Sequence, residues 1–456
     1  MMRQTYLFYD IETTGLSKCF DQVLQFAAIR TDLWLNEIER YNFFVKLNLD
    51  VVPAPEALIT HHISFEKINN GLCEYEAAKK IHDLLNKPGT ISLGYNTLGF
   101  DDEFLRFTFY RNLLTPYTHQ YADNCRRMDL YPMAVAYFLY KPKVLNWPTI
   151  NGKSSLKLES LSELNKLATG DAHDALVDVE ATVALARKFK ADQKMWDYLS
   201  GYFDKSAERL RNKDLLEALM LDGSFGVDNS YQSYVLFLGR HNFYKNQTVW
   251  LRLDWDLQEP FVINKKDAEA KFLLPPHERF TKYINQDRWN LINSNKQYLS
   301  NNPEFLNKLK KHHLNYQYPY IPNLDLDGAL YQNGFMSERD KLICGEFHAS
   351  DIDGKIQILD RASGYLQQQM LRLLARNYPE KVPSQYLDFY REYLSDIEAG
   401  NKIIDYRGNL HLTRSNALNR IQELTVRDGD RSPLTSEQIR LLAELQKYLN
   451  YNHSGL

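Results

Sequence analysis

Two carboxylates, Asp10 and Glu12, stand two positions apart in the apolar stretch LFYDIETTGL, residues 7–16. On a β-strand, residues i and i+2 project from the same face, so these two side chains point together. Burying two like charges side by side is costly unless a cation neutralises them. Hard oxygen ligands suit Mg²⁺ or Mn²⁺. The pair therefore indicates part of a metal site, with solvated acids on an edge strand as the alternative.

A second pair of acids, Asp101 and Asp102, lies in GYNTLGFDDEF, residues 94–104. The pattern predicts a strand over 90–96 and a helix over 101–113. A carboxylate at a strand-to-helix junction is also a common helix cap, so Asp101 alone would not define a site. It becomes a candidate ligand because a metal site at Asp10 and Glu12 needs oxygen atoms from other elements.

A third cluster of polar residues, His173, Asp174 and Asp178, lies in AHDALVDVEAT, residues 172–182. Apolar residues at spacings of three and four predict a helix over 173–189. His173 is expected near the start of this helix and Asp178 one turn inside it, so that the imidazole overhangs the carboxylate. A single histidine is more often structural, so this cluster indicates a functional site only in combination with the other acids.

The elements that must position these residues alternate along the first part of the chain. Strands are predicted over 5–11, 25–32, 43–48 and 90–96, and the alternation of strands with helices indicates an α/β domain that ends near residue 195. Residues 196–318 are predicted to be β-rich, with SYVLFLGR (233–240) and a half-buried, alternating strand over 248–256. A linker over 318–328 precedes a helical region that includes the capping box Thr435-x-x-Gln438.

The length and composition of the chain limit the number of domains and the class of protein. A chain of 456 residues suggests about three domains. The formal net charge of -3 excludes a strongly basic nucleic-acid binder but allows a local basic groove. The 30 tyrosines are consistent with half-buried packing or with base-stacking platforms. The four cysteines are scattered and signal neither a disulfide framework nor a zinc site. Without an apparent signal peptide or a membrane-spanning run, we expect a cytoplasmic protein.

The three polar clusters together resemble the motifs of the DEDD superfamily of 3′→5′ exonucleases, in its histidine-containing branch. DIETTG matches the first motif, NTLGFD the second, and the H-x4-D spacing of His173 and Asp178 the third. The resemblance implies two Mg²⁺ ions, with Mn²⁺ as a substitute, and His173 as the general base. The implied metal ligands are Asp10, Glu12, Asp101 and Asp178. Asp102 and Asp174 are then expected to have structural or minor roles.

More of the chain is similar to the bacterial exodeoxyribonuclease I family. The similar stretches are QFAAIRTD, GYNTLGFDDEFLRFTFYRNLLTPY, NW at 146–147, LKLESL at 156–161, SFG at 224–226 and NGFMS at 333–337. That family implies an RNase H-like exonuclease domain (1–195), an SH3-like β-rich domain (196–318) and an α-helical C-terminal domain (319–456). The middle domain is shorter than is usual in the family.

The same resemblance implies binding residues. Substrate contacts are expected from Glu12, Thr13, Arg106, Tyr117, Tyr121 and Lys157. Cations for phosphates and rings for bases suit a single strand that is bound without sequence readout. The family has Arg where Lys157 stands, which keeps the charge and loses bidentate geometry. Lys141 and Tyr198 match places where the family docks the C-terminal tail of single-stranded DNA-binding protein.

The predicted function is hydrolysis of single-stranded DNA from its 3′ end to 5′-mononucleotides by two metal ions, in DNA repair or recombination, by a monomer. Two alternatives stay open. One is an RNA-directed or proofreading exonuclease, against which the long C-terminal two-thirds of the chain argues. The other is a catalytically inert single-strand-binding scaffold, against which the full set of candidate ligands argues.

Overall fold

The computed structural model describes residues 4–170, 173–426 and 434–451. Within these ranges the first sheet has five strands in the order β3-β2-β1-β4-β5. Its strands are β1 (Thr5–Thr13), β2 (Val23–Thr31), β3 (Glu37–Phe44), β4 (Thr90–Gly94) and β5 (Arg126–Asp129). β1 pairs antiparallel with β2 and parallel with β4. The apolar run of β1 is buried along most of its length, and its carboxyl end carries Asp10 and Glu12.

Helices cover both faces of this sheet, as expected for an RNase H-like α/β domain. The helices of this region are α1 (Pro55–His61), α2 (Phe65–Asn69), α3 (Glu74–Asn86), α4 (Asp101–Arg111), α5 (Leu130–Tyr140), α6 (Leu158–Asn165), α7 (Ala175–Lys190) and α8 (Gln193–Ser200). The helices predicted over 101–113 and 173–189 are therefore confirmed as α4 and α7. A small hairpin, β6 (Thr149–Ile150) and β7 (Lys153–Ser154), precedes α6.

The prediction of a strand over 43–48 was wrong in position, because β3 runs from Glu37 to Phe44. β3 is an edge strand with mostly exposed or half-buried residues, so it lacks the apolar run on which the prediction rested. It begins directly after a tight turn in which the Asp32 carboxylate accepts hydrogen bonds from the backbone nitrogens of Trp34 and Asn36, at 2.9 and 2.8 Å. Such Asx turns reverse a chain within a few residues.

The middle region contains an antiparallel five-stranded sheet in the order β11-β10-β9-β8-β12. Its elements are α9 (Lys205–Arg211), β8 (Glu217–Leu221), β9 (Gln232–Arg240), β10 (Gln247–Arg252), β11 (Val262–Lys266), β12 (Phe272–Leu274), α10 (Glu278–Thr281), α11 (Gln286–Asn301) and α12 (Pro303–Leu314). The expected half-buried alternation along β10 was wrong. Trp250 packs on Phe237 on one face while Val249 and Leu251 are buried on the other, so both faces are covered.

The C-terminal region is helical, as predicted. Its helices are α13 (Glu338–Ala349), α14 (Ile352–Leu359), α15 (Gly364–Asn377), α16 (Ser384–Ala399), α17 (Arg414–Thr425) and α18 (Ser436–Asn450). The Thr435–Gln438 capping box is present at the start of α18. Within the described ranges, no helix is both long enough and apolar enough to cross a membrane. The domain boundaries near residues 195 and 318 stay predictions.

A buried ion network joins the first region to the C-terminal helices. Arg376 of α15 donates to Asp50, in the loop before α1, with its Nε 2.8 Å from Oδ2. Arg376 also pairs with Asp327, and Arg372 pairs with both Asp327 and Asp325. Burial alone would raise the pKa of Asp327, but the two guanidinium groups outweigh it and hold that pKa below its ordinary value. The network therefore stabilises the carboxylate forms of Asp50 and Asp327.

Candidate active site

One cavity of 830 Å³ brings together all five residues that the sequence predicted to be catalytic: Asp10, Glu12, Asp101, His173 and Asp178. They come from three elements of the first region and one loop. β1 contributes the first two, α4 and α7 contribute one acid each, and His173 directly precedes Asp174, the residue that caps α7. The β1–β2 pairing shifts register between Glu12 and Thr13, so regular pairing of β1 ends at the site.

Asp101 is held against β1 by its own side chain. The backbone nitrogen of Ile11 donates to Asp101 Oδ1 at 3.3 Å. Asp101 is the first residue of α4, and the residue in the capping position, Phe100, makes no side-chain cap bond. Asp101 therefore does more than terminate a helix, because this carboxylate also bonds to the strand that carries Asp10 and Glu12.

His173 lies beside two of the acids. One ligand atom from each of Glu12, His173 and Asp178 can be chosen so that all three lie within 4.8 Å of one another. His173 has a φ of 67°, in the left-handed region that residues other than glycine seldom adopt. Such backbone conformations concentrate at functional sites. Asp174 instead caps α7, because its Oδ1 accepts from the backbone nitrogen of Leu176 at 2.9 Å.

The carboxylates of the cavity raise one another's pKa. Burial and then the charges of Asp101, Glu12 and Asp178 raise the pKa of Asp10 well above its ordinary value. Burial, followed by neighbouring acids, raises the pKa of Glu12 to about 9. Burial also raises the pKa of Asp101 to about 7 and that of Asp178 to about 6. Four acids in this state disfavour their own ionisation until a cation is supplied.

This donor set fits divalent cations. Four carboxylates offer hard oxygen atoms, which Mg²⁺ and Mn²⁺ prefer, and the mutual repulsion that raises their pKa values is relieved by positive charge. The imidazole within 4.8 Å would also suit a softer ion such as Zn²⁺. Among the residues that the structure describes, the cluster of Glu12, His173 and Asp178 is the group of histidine, cysteine and acidic side chains compact enough to share one ion.

We expect Asp10→Asn to stabilise the metal-free protein, and to do so more strongly at high pH. Because the folded-state pKa values of the cluster are raised, folding without metal takes up protons. Stability of the metal-free parent therefore falls as pH rises from about 4, the ordinary value for these acids, to about 9, the value of Glu12. Removing the charge of Asp10 should reduce this loss of stability at high pH. Melting temperatures in EDTA across this range test the expectation.

The matched control for Asp10→Asn is Asp228→Asn, whose carboxylate is exposed and pairs with Lys153 on the surface. This control should show no gain that grows with pH. Adding Mg²⁺ should raise the melting temperature of the parent more than that of Asp10→Asn. A variant that is less stable than the parent at every pH would contradict the charge-repulsion account.

Asp102 occupies a separate, fully buried network. Its carboxylate pairs with Arg106, with Arg127 at 2.6 Å, and with His119 at 3.0 Å. Arg127 also reaches Glu269 of the middle region at 3.2 Å. Burial opposes ionisation here, but the two guanidinium groups hold the pKa of Asp102 well below its ordinary value. The structural role expected for Asp102 is consistent with this network, which anchors α4 one residue after Asp101.

The residues predicted to contact substrate differ in their exposure and in their contacts within the chain. Lys157 lines the cavity and is exposed. Tyr121 is 70% exposed, and the half-buried Tyr117 ring lies 5.7 Å from the Arg106 guanidinium. Arg106 itself is buried by its pair with Asp102. Thr13 is buried too, and its hydroxyl donates to the Gly15 carbonyl at 2.8 Å. Their contacts with substrate stay predictions.

The two residues predicted to dock a partner's tail already have neighbours within the chain. Lys141 pairs with Asp192 at 2.6 Å on the surface. The Tyr198 ring lies 4.3 Å from the Arg211 guanidinium, and its hydroxyl lies 3.2 Å from that of Tyr202. Arg211 is thus an additional cation at this place, which sequence analysis did not identify.

Several cavity residues were missed. Tyr95, Tyr131 and Tyr231 line it, and Tyr231 directly precedes β9 of the middle sheet, far away in sequence. The hairpin of β6 and β7 also lines it, and its Asn151-Gly152 turn is a recognised hairpin signal that could have been used. Lys18 was missed as well. It is buried with its Nζ 3.0 Å from the centre of the Phe100 ring, next to Asp101.

Known exonucleases are similar to this chain over most of its length. The exonuclease family model matches residues 7–186. Exodeoxyribonuclease I of Escherichia coli is 32% identical over 380 residues, which are 74% of this chain and 78% of that protein. The crystal structure of E. coli exonuclease I in complex with a dA16 oligonucleotide is similar, with a TM-score of 0.83 and 25% identity over 98% of this chain and 99% of that one. A zinc-bound form of the complex of that enzyme with single-stranded DNA gives a TM-score of 0.83 at 26% identity, with the same coverage.

Proposed function

Because this chain belongs to the exodeoxyribonuclease I family, we propose that it hydrolyses single-stranded DNA from the 3′ end and releases 5′-mononucleotides. The observation that carries the proposal is the convergence of Asp10, Glu12, Asp101, Asp178 and His173 on one cavity. In a binding scaffold without catalytic activity, four buried acids that repel one another would cost stability and serve no function. The proposed setting is DNA repair or recombination in the cytoplasm.

The residues that would hold divalent metal are Asp10, Glu12, Asp101 and Asp178. When bound, two Mg²⁺ ions, or Mn²⁺ in their place, would activate water and stabilise the charge on the leaving oxygen. The protein's own part is to fix the acids. Asp101 is tied to the backbone of Ile11, and the helix that carries it is anchored through Asp102 and Arg127.

His173 would take the proton of the attacking water. Its side chain is 44% exposed at the rim of the acids, so solvent can carry the proton away. Attack at phosphorus breaks the bond to the 3′ oxygen of the preceding nucleotide, which leaves with the electron pair and is then protonated. A new 3′ end results, and the strand can advance by one residue.

The strand would be held by Glu12, Thr13, Arg106, Tyr117, Tyr121 and Lys157. Of the two cations in this set, Lys157 is the one that lines the cavity of the metal-ligand candidates. We also propose that Lys141 and Tyr198, with Arg211 beside them, receive the acidic C-terminal tail of single-stranded DNA-binding protein. The expected monomer is part of the proposal.

The test uses single-stranded DNA and RNA, each labelled at the 3′ or the 5′ end, with Mg²⁺, with Mn²⁺ and with EDTA. We expect immediate release of labelled mononucleotide from 3′-labelled DNA and slow shortening of 5′-labelled DNA, both abolished by EDTA. Asp178→Asn serves as the inactive control. Preference for RNA would favour the RNA-directed alternative, and absence of metal-dependent release from either substrate would overturn the proposal.

A further inference from the structure

A second cavity, of 1260 Å³, lies where α3 of the first region meets the C-terminal helices. Residues of α3 line one side of it, and the connection between α13 and α14, together with Tyr378 and Lys381 after α15, lines the other. Among the described residues, this cavity and the catalytic cavity share no lining residue. Sites for small molecules usually measure about 300–1,000 Å³, so the second cavity has room for one.

The wall of the second cavity is fixed by hydrogen bonds between the two regions. The backbone nitrogen of Tyr75 donates to Asn377 Oδ1 at 2.9 Å. Burial lowers the pKa of His348, which favours the neutral ring. Its Nε2 donates to the Leu113 carbonyl at 3.0 Å, so its Nδ1 accepts from the Tyr75 hydroxyl at 2.8 Å. A ligand would therefore meet a preorganised wall, which lowers the entropy cost of binding.

Positive charge collects in this cavity. Four lysines that line it have no carboxylate oxygen within 4.0 Å among the residues that the structure describes, and we call them the lysine cluster: Lys79, Lys80, Lys355 and Lys381. A fifth, Lys87, pairs with Glu39 at 3.1 Å. The ammonium groups of Lys79 and Lys355 lie 5.6 and 5.7 Å from the centre of the same ring, that of Tyr75. Burial, and then the charge of Lys79, lowers the pKa of Lys355. Like charges held this close repel each other until an anion joins them.

The acids of the cavity lie farther out than the lysines. All of the acids that line it are exposed: Glu76, Asp83, Asp351 and Asp353. Lys355 is buried and Lys79 is half-buried. Lys355 Nζ donates to the Ser350 carbonyl, which uses one of its three hydrogens and holds the ammonium group in place. Asp351 is already engaged as the cap of α14. The inner part of the cavity is therefore positive.

We propose that the lysine cluster binds a small anion that carries a phosphate group. A phosphate dianion would balance the charges of Lys79 and Lys355, and its oxygen atoms accept several charge-assisted hydrogen bonds. Inorganic phosphate and a mononucleotide share this chemistry, and the experiment separates the two sources. The inference does not depend on the proposed function, because none of the candidate catalytic residues lines the second cavity.

The test is calorimetric titration of the full chain in EDTA and low salt, with inorganic phosphate, thymidine 5′-monophosphate and thymidine as the three ligands. It is done at about pH 8, above the second pKa of about 6 of a phosphate ester. We expect the first two ligands to bind and thymidine to leave the heat unchanged. Tighter binding of the nucleotide would support the inference with a mononucleotide as the ligand. Equal binding of the two would support it with the phosphate group alone.

Lys79→Gln should weaken phosphate binding by about tenfold or more, the usual effect of losing a hydrogen bond to a charged group. Lys381→Gln, at an exposed position, should also weaken it and decides the matter if Lys79→Gln does not fold. The matched control is Lys188→Gln, an exposed position on α7 outside both cavities, which should bind phosphate as the parent does.

Three results would overturn the inference. The parent could bind no phosphate, or it could bind thymidine as tightly as the nucleotide. A folded Lys79→Gln variant could also bind phosphate as tightly as the parent, and a lower melting temperature with unchanged affinity would then assign Lys79 to packing. Failure of the proposed function would show separately, as a parent that binds phosphate but releases no mononucleotide from DNA.

Discussion

His173→Ala should lower turnover on single-stranded DNA by about 10²–10⁴, the range that a general base contributes. The expectation rests on the position of His173 in the cavity, beside Glu12 and Asp178. As a base rather than a ligand, it should leave affinity for Mg²⁺ and for DNA nearly intact. The measurement is turnover at saturating Mg²⁺, together with the Mg²⁺ dependence and the DNA affinity of the same variant.

The competing role for His173 is ligation, since its ring atoms are within reach of an ion shared with Glu12 and Asp178. A ligand would lose metal affinity together with rate, and excess Mg²⁺ would then restore activity. A merely structural histidine would lower the melting temperature and leave the rate of the folded fraction unchanged. Added imidazole should partly restore the activity of His173→Ala only if the missing group is a proton acceptor.

Arg376→Met should destabilise the protein by about 3–5 kcal/mol, the usual cost of breaking a buried ion pair from one side. The substitution leaves Asp50 and Asp327 buried with the charge of Arg376 gone. Among the side chains that the structure describes, Asp50 then keeps the Tyr390 hydroxyl, 2.8 Å from its Oδ1. Because Arg376 joins two regions, we expect unfolding of the C-terminal helices to begin earlier than that of the first sheet. Denaturant unfolding followed by hydrogen exchange measures both effects.

The matched control is Arg361→Met, whose partner Glu346 is on the surface, so that the melting temperature should hardly change. The pH dependence gives a second check. Asp50 and Asp327 have pKa values held below the ordinary value, so their contribution is present above about pH 4 and is lost as pH falls further. Arg376→Met should lose most of this acid-side dependence, because Arg372 remains paired with Asp327. Equal stability of the variant and the parent at neutral pH would contradict the account.

The accuracy of sequence analysis depended on how local each signal was. β1 and α7 were predictable because an apolar run and a helical period lie within the elements themselves. The metal-ligand candidates were predictable because each motif combines a carboxylate with a strand or helix end. β3 was misplaced because an exposed edge strand carries little apolar signal.

Other features depend on contacts between distant parts of the chain. Tyr231 reaches the cavity from the middle sheet, and no local pattern indicates this. Arg106 is different, because it stands four residues after Asp102 on a helix, a spacing that favours an ion pair. This four-residue spacing is visible in the sequence. It predicts a buried ion pair between Arg106 and Asp102 as readily as a contact between Arg106 and a phosphate.

The wall of the catalytic cavity is built by two separate parts of the chain. The β6–β7 hairpin contacts the middle region through the exposed Lys153–Asp228 ion pair, and Tyr231, whose hydroxyl lies 3.5 Å from the Ser154 carbonyl oxygen, lines the same cavity. All of the candidate metal ligands, however, lie before residue 195. A fragment that ends there would contain the candidate metal ligands but would lack part of the cavity wall. Under the proposed function, we expect that exchanging the middle region between relatives would alter which strands are accepted and would leave the cleavage step in place.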